Sequence, residues 1–507
     1  MNAFANWLQH DTAGLVTVAV LGIALLLWLI MKVKLEPFVA LLVAGFAVAI
    51  VGGISATEIV GTTQRSETVG LVRKGVGGIL GSIAVVVGLG SMLGAMLEAS
   101  GGAQVLAGRL IRRFGEDRAP LAMGLTGLIF GIPVFFDIGI FVLAPLVYVA
   151  AIKSKRSILI YCLPLLAGLS VMHAFLPPHP GPVAAAGLLN VDLGWVIIIG
   201  LACGIPAWIV GGYYFSKWIG EKIYLPVPEE FVSVARETVA VETEVEAHTH
   251  GVSGAGTATA SNVTANPGES AANMSTTGAA LLPPEPVSLG TVLTIIGTPL
   301  VLILMATIAS VVLAAGPVRN FFEFIGSPFV ALTIALLLAF YVLGIRRGWH
   351  QDEIGRVMSA ALKPVGMILL VVGAGGFFGA VLQATGVGSA VAKSLTSAGL
   401  PLIALGYLIS CGLRIAQGSA TVAIIATAGI VGPLVVAGGF SQVHTALLVI
   451  AISAGSIIVS HVNDGGFWIV SRYFGIPVKE TLQTWTVLET ILSVVGFGVA
   501  AALSIVF

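Results

Sequence analysis

The chain has 507 residues, 57% of them hydrophobic and only 9% charged, with 64 glycines and a formal net charge of zero. A soluble domain carries about 25% charged residues, so this pool cannot clothe a water-facing surface, and Gly at this level suits membrane helices. Soluble enzymes, nucleic-acid binders and disordered scaffolds are excluded, and an all-α polytopic membrane protein is expected.

Taken in chain order, apolar runs near the roughly 20 residues needed to cross a bilayer fall at 14–31, 36–54 and 79–98. No cleavable leader is expected, because no basic segment precedes the first run and Lys32 and Lys34 follow it. Two interrupted segments come next. The segment 119–152 contains FGIPVFFDIGIF, with Pro133 and Asp137, and 157–190 contains HAFLPPHPGP, with four prolines around His173 and His179. No continuous helix survives that proline spacing. After a plain run at 193–215, residues 226–288 turn polar and rich in Ala, Gly, Ser, Thr and Asn. They cannot bury enough apolar area to offset ordering entropy and read as a flexible linker. His248 and His250 within it read as solvated bystanders.

The second half repeats the pattern. Plain runs at 289–314, 327–345, 364–383 and 484–507 accompany interrupted segments at 400–437 and 443–475, which carry GLRIAQGSATVA and SHVNDGGFW. Expected boundaries are therefore an N-terminal repeat over 1–225, the linker, and a C-terminal repeat over 289–507. Cys162, Cys203 and Cys411 sit in apolar runs without CxxC or His spacing. They read as core residues, and no disulfide frame, metal site or cofactor is expected.

GLGSMLGAMLEASG (88–101) aligns with GAGGFFGAVLQATG (373–386), with Glu98 opposite Gln383. Eight of the 24 acidic residues fall in the linker with the single base Arg236, which leaves a basic surplus in the loops. Placing the clusters around Lys32/Lys34, Arg109–Arg118, Lys153–Arg156, Lys217/Lys222, Arg346–Lys363 and Arg472/Lys479 in the cytoplasm leaves Arg65, Arg73, Lys74, Arg319 and Lys393 outside. Helix 79–98 then runs inward and its counterpart 364–383 outward, so inverted repeats are expected. Each would hold about five transmembrane helices plus a re-entrant hairpin and a broken helix. The linker would be cytoplasmic and both termini outside. The hairpins would be 119–152 and 400–437, with two ordinary helices as the alternative for the first. Non-helical backbone at membrane depth is tolerated only where protein or a water-filled cavity satisfies it, so these breaks mark a buried polar site.

An intramembrane carboxylate costs about 3 kcal/mol or more, so Asp137 points to proton or substrate handling, or else to an internal structural pair. His173 and His179 suit substrate binding or proton movement, with packing as the alternative. Arg414 beside Gln417, Ser419 and Thr421 suits a carboxylate with hydroxyls; a purely structural Arg is the alternative. Asn463 offers a further substrate contact, and Asp464 and His461 further proton-handling groups.

These motifs, FGIPVFFDIGIFVLAPL, HAFLPPHPGP, GLRIAQGSATVA and SHVNDGGFWIVSRYFG, resemble the GntP family of gluconate:proton symporters, within the ion transporter superfamily. The resemblance covers roughly 1–225 and 288–507; the long polar linker departs from it. It implies proton-coupled uptake of gluconate or a related sugar acid at a cell inner membrane, with paired hairpins and broken helices meeting near the midplane. A symporter for another short hydroxy-carboxylate, with sodium as coupling ion, is the runner-up. A channel would want a continuous polar stripe, a membrane hydrolase a nucleophile or metal set, and no Walker A sequence provides for ATP. The partners expected are sugar acid, protons and the lipid bilayer, with self-association left open and nucleic acid excluded.

Overall fold

The computed structural model describes residues 3–61, 70–229, 287–363, 365–387, 390, 401–462 and 464–507. Among them every element is helical, and ten helices are long and apolar enough to span a bilayer. The expected multi-pass, all-α architecture is what the chain adopts.

The same order of elements occurs twice. A long helix (Thr12–Met31; Leu289–Val312) is followed by one that opens on Pro-Phe-Val-Ala-Leu (Pro37–Val51; Pro328–Ala339), then by a glycine-rich helix (Leu71–Ala99; Val365–Ala384). A helical hairpin comes next (Ala119–Phe130 with Phe136–Ser154; Leu402–Gln417 with Ala420–Gly438). A broken helix follows (Leu159–Phe175 with Pro180–Leu189; Gln442–Gly455 with Gly465–Tyr473), and a long helix closes each half (Leu193–Ala207, running on to Lys222; Val478–Val506). Gly101 and Gly386, matched in the sequence repeat, both turn left-handed after their helices, at φ 77° and 74°. Five short helices, Ala3–His10, Ala56–Val60, Gly102–Phe114, Pro317–Ile325 and Gln351–Leu362, were not anticipated. Each mixes charged or polar residues with apolar ones, which dilutes the hydropathy signal that marks a span.

Local chemistry explains the breaks. Pro133 lacks an N–H and its ring clashes with the preceding turn, so the first arm of the first hairpin stops at Phe130 and the second starts at Phe136. In the second hairpin Gly418 turns left-handed at φ 85°, and the Ser419 hydroxyl caps Ala420–Gly438 by accepting from the Val422 N–H. First arms of 12 and 16 residues rise about 18 and 24 Å, less than the roughly 30 Å hydrocarbon core. The second arms are 19 residues each, long enough to span.

The packing is crossed. Within each half the first arm of the hairpin lies on the first part of the broken helix, 119–130 on 159–175 and 402–417 on 442–455. Between halves, the second arm of each hairpin lies on the second part of the other half's broken helix, 136–154 on 465–473 and 420–438 on 180–189. Tyr148 donates its hydroxyl to the Tyr473 carbonyl, and Phe141 packs on Tyr473 at 4.5 Å between centroids. The glycine-rich helices 71–99 and 365–384 pack on each other. Gly94 lets the first of them touch the Pro133 carbonyl at the hairpin tip, where any Cβ would overlap that oxygen. The four breaks thereby meet inside the protein.

Candidate functional site

Arg414 lies in the last turn of the second hairpin's first arm and is 4% exposed. One end of its guanidinium donates to the Gly418 carbonyl and the other to Oδ2 of Asp464, in a buried ion pair. Asp464 is the N-cap of Gly465–Tyr473 and also accepts from the Gly466 N–H at 2.9 Å and from the Ser460 hydroxyl. That hydroxyl in turn accepts from Trp485 Nε1 at 2.8 Å, while Thr486 donates to the Ser460 carbonyl. The second break is thus held by the final helix. Phe136, opening the second arm of the first hairpin, stacks on Trp485 at 5.4 Å, which brings the first tip to the same place.

On the other side sits the first break. His179 immediately precedes Pro180–Leu189, and its side chain turns to the first hairpin instead of capping that helix: its Nε2 is 2.6 Å from the Gly131 carbonyl, so that nitrogen carries the proton. His173, in the last turn before the break, has its ring 4.6 Å from that of His179, and Phe135 lies within 6.0 Å of both. His173 is close enough to Arg414 for their charges to interact, as Asp137 is to Asp464.

Glu489 was missed. It is 1% exposed in the middle of Val478–Val506; its Oε2 accepts from the Ser170 hydroxyl at 3.0 Å, and it lies within electrostatic reach of both Arg414 and Asp464. The signal was present as a lone acid in the apolar run 484–507, and an acid at membrane depth is a functional candidate in its own right. Ser170, Ser460 and Trp485 were also missed, since such residue types are common in membrane helices.

Five buried side-chain polar atoms lack a partner among the described residues: His173 Nδ1, Arg414 Nε, Thr427 Oγ1, Ser453 Oγ and Glu489 Oε1. Native interiors leave few such atoms, and three of these five belong to one cluster. Unmet donors and acceptors gathered around a buried ion pair are what a polar ligand would complete.

The sequence-derived residues are placed unevenly. Arg414, Asp464, His173 and His179 come together as described. Asp137 lies in the first turn after the break, accessible at its surface yet largely surrounded by protein and within electrostatic reach of Asp464. His461 reaches the Ile415 carbonyl at 3.2 Å beside the Arg414 turn. Ser419 serves as a helix cap, and Thr421 lies partly buried in the following turn. The Gln417 side chain, Asn463, the stretch 230–286 of the linker, Arg65 and Lys393 lie outside the described residues. The three cysteines are buried and unpaired, as core residues should be. Among the described residues no three His, Cys, Asp or Glu side chains gather as a metal-ligand set.

The profile of the GntP family permeases matches residues 14–253 and 260–506. The chain belongs to the GntP permease family. It is 40% identical over 488 residues to the inner membrane permease YgbN of Escherichia coli K12, covering 96% of this chain and 98% of the relative. It is 38% identical over 489 residues to a gluconate permease of Bacillus subtilis 168 (96% and 99% covered), and 36% identical over 486 residues to a low-affinity gluconate transporter of Escherichia coli K12 (96% and 97%). Among solved structures, MtrF of Neisseria gonorrhoeae, titled an antimetabolite efflux pump, matches with TM-score 0.56 at 16% identity, covering 98% of this chain and 96% of its own. The YdaH transporter of Alcanivorax borkumensis matches at 0.53 and 16%, covering 96% and 99%. At that identity the likeness is one of fold. The permease is a multi-pass membrane transport protein.

Proposed function

We propose that this permease imports gluconate or a related sugar acid together with protons, by alternating access between two inverted repeats. The observation that carries the reading is Arg414: buried, paired with Asp464, and still holding an Nε with no partner among the described residues. A guanidinium binds a carboxylate through two parallel N–H donors. A substrate carboxylate that takes Nε and a neighbouring nitrogen displaces Asp464, and the released, buried carboxylate then accepts a proton, because an unpaired charge there is strongly disfavoured. Anion and proton thereby enter together. His173, whose Nδ1 is also unmet, and His179, Gln417, Ser419, Thr421 and Asn463 are the proposed partners for substrate hydroxyls. Exposed Asp137, near Asp464, and His461, beside the Arg414 turn, form the route by which protons arrive.

The named relatives support gluconate as the substrate, and the crossed packing of hairpins on the opposite broken helices supports two repeats that move against each other. The linker is proposed to be cytoplasmic and the termini outside. The test is accumulation of labelled gluconate by the purified protein in liposomes under an inward proton gradient. Accumulation against the gluconate gradient, collapsed by a protonophore and competed by unlabelled sugar acids, is the expected result. Accumulation that survives the protonophore and needs sodium would overturn the proton reading.

A further inference from the structure

Glu489 lies outside every broken segment, yet it belongs to the same cluster. One carboxylate oxygen accepts a single hydroxyl from Ser170, and the other is buried with no partner among the described residues. An ionised carboxylate can accept about four hydrogen bonds, so an ionised Glu489 depends on a nearby positive charge. Arg414 supplies it, while Asp464 opposes it. The elements packed on Val478–Val506 bring Ser170 from Leu159–Phe175, Arg414 from Leu402–Gln417 and Asp464 from the cap of Gly465–Tyr473. Leu402–Gln417 also brings Cys411 and Tyr407, whose hydroxyl meets that of Ser493 at 3.1 Å one turn beyond Glu489. Trp208–Phe215 carries Tyr213 and Tyr214, Leu193–Ala207 and Gln442–Gly455 carry Cys203 and His444, and Lys217, Glu221 and Lys222 of Ser216–Lys222 are exposed.

We propose that Glu489 is a second proton-binding carboxylate of the transport cycle, taking up a proton as Arg414 turns from the protein's carboxylates to the substrate's. The inference rests on the proton-coupled reading above. While Arg414 faces the protein carboxylates, its charge offsets an ionised Glu489. Once a substrate carboxylate engages the guanidinium, that offset is withdrawn, and an O–H bond forms at the unmet Oε1 with a proton from water on the loading side. Release of substrate on the far side returns Arg414 to the protein carboxylates, and the proton leaves there. One proton is thus bound and released at Glu489 for each substrate anion carried.

The experiment uses the full chain in liposomes with labelled gluconate, comparing accumulation driven by a pH gradient with gluconate-for-gluconate exchange at equal pH. Glu489→Gln is expected to keep the exchange, to accumulate less gluconate for the same pH gradient because only the Asp464 proton remains coupled, and to show an altered pH dependence of exchange. Glu489→Asp should keep more of the accumulation than Glu489→Gln. Ser170→Ala removes the donor to the charged form and should move the pH profile of exchange to more alkaline values. A Glu489→Gln protein that accumulates gluconate with the wild-type pH dependence overturns the assignment while leaving proton coupling intact. Loss of exchange as well as accumulation in both Glu489 variants, with an unmoved profile in Ser170→Ala, assigns Glu489 a structural role and also overturns it. Wild-type accumulation that survives a protonophore removes proton coupling itself, and this proposal with it.

Discussion

Replacing Arg414 separates its two tasks, holding Asp464 and gripping substrate. Arg414→Ala leaves Asp464 with the Ser460 and Gly466 donors but without a counter-charge. Breaking a buried pair by deleting one partner costs about 3–5 kcal/mol, against a total stability on the order of 5–15 kcal/mol. For the substrate, each charge-assisted hydrogen bond is worth about 1.5–3 kcal/mol, and every 1.4 kcal/mol is roughly tenfold in affinity. Loss of two such bonds should weaken apparent gluconate affinity by about a hundredfold or more in Arg414→Ala. Arg414→Lys keeps the charge but not the planar fork, so a loss of roughly ten- to a hundredfold is expected. The assay is the concentration dependence of labelled gluconate uptake in vesicles, normalised to the amount of protein in the membrane. Adding Asp464→Asn removes the stranded charge, so Arg414→Ala/Asp464→Asn should regain thermal stability in detergent while remaining inactive. Unchanged affinity in Arg414→Ala would refute the assignment, as would transport restored in the double variant.

Shortening the linker within 230–284, with enough chain left to join residues 229 and 287, should leave uptake unchanged at normal membrane abundance; a loss would give the linker a transport role. Gly94→Val should drive a side chain into the Pro133 carbonyl and lower stability by about 1–3 kcal/mol, read as a drop in melting temperature in detergent; an unchanged melting curve would mean the tip is free to shift. Glu58, outside the spans, forms a capping box with Ser55, whose hydroxyl and backbone N–H hold its carboxyl below the ordinary carboxylate value. Because the folded value is depressed, the cap's contribution is fully present above the ordinary range and is lost as pH falls through the lowered value. Amide exchange over Ser55–Val60 should therefore quicken only in strong acid, and Glu58→Gln should abolish that step; a step that persists in the Gln variant would point to another group.

Much of the architecture was legible because its causes are local. Prolines 133, 177 and 178 fall where helices stop, Pro180 and Pro182 open the next one, and Gly418 and Ser419 end one helix and begin another. The charge-poor runs marked the spans, although the short amphipathic helices escaped, being neither apolar nor long. Arg414, Asp464, His173 and His179 stood out as polar residues inside such breaks and do converge. Glu489 was overlooked because its run is otherwise uninterrupted, so nothing in the local pattern separates it from an ordinary span. Asp137 was legible as unusual, but its nearness to Asp464 follows from the packing of the first hairpin on the second broken helix, which the residue's neighbours in sequence do not specify.

By itself the sequence determined the membrane class, the doubled order of plain and broken segments, and the residues whose charge is out of place in hydrocarbon, since hydropathy, proline geometry and desolvation act within a few residues. Tertiary structure alone decided the partners. Arg414 meets Asp464 across 50 positions because the first arm of the second hairpin lies on its own half's broken helix, and Ser170 meets Glu489 across 319 because the final helix packs on Leu159–Phe175 of the other half. A hydrogen bond's worth depends on what it touches and on how little water remains there, and both are set only when distant helices close around the breaks.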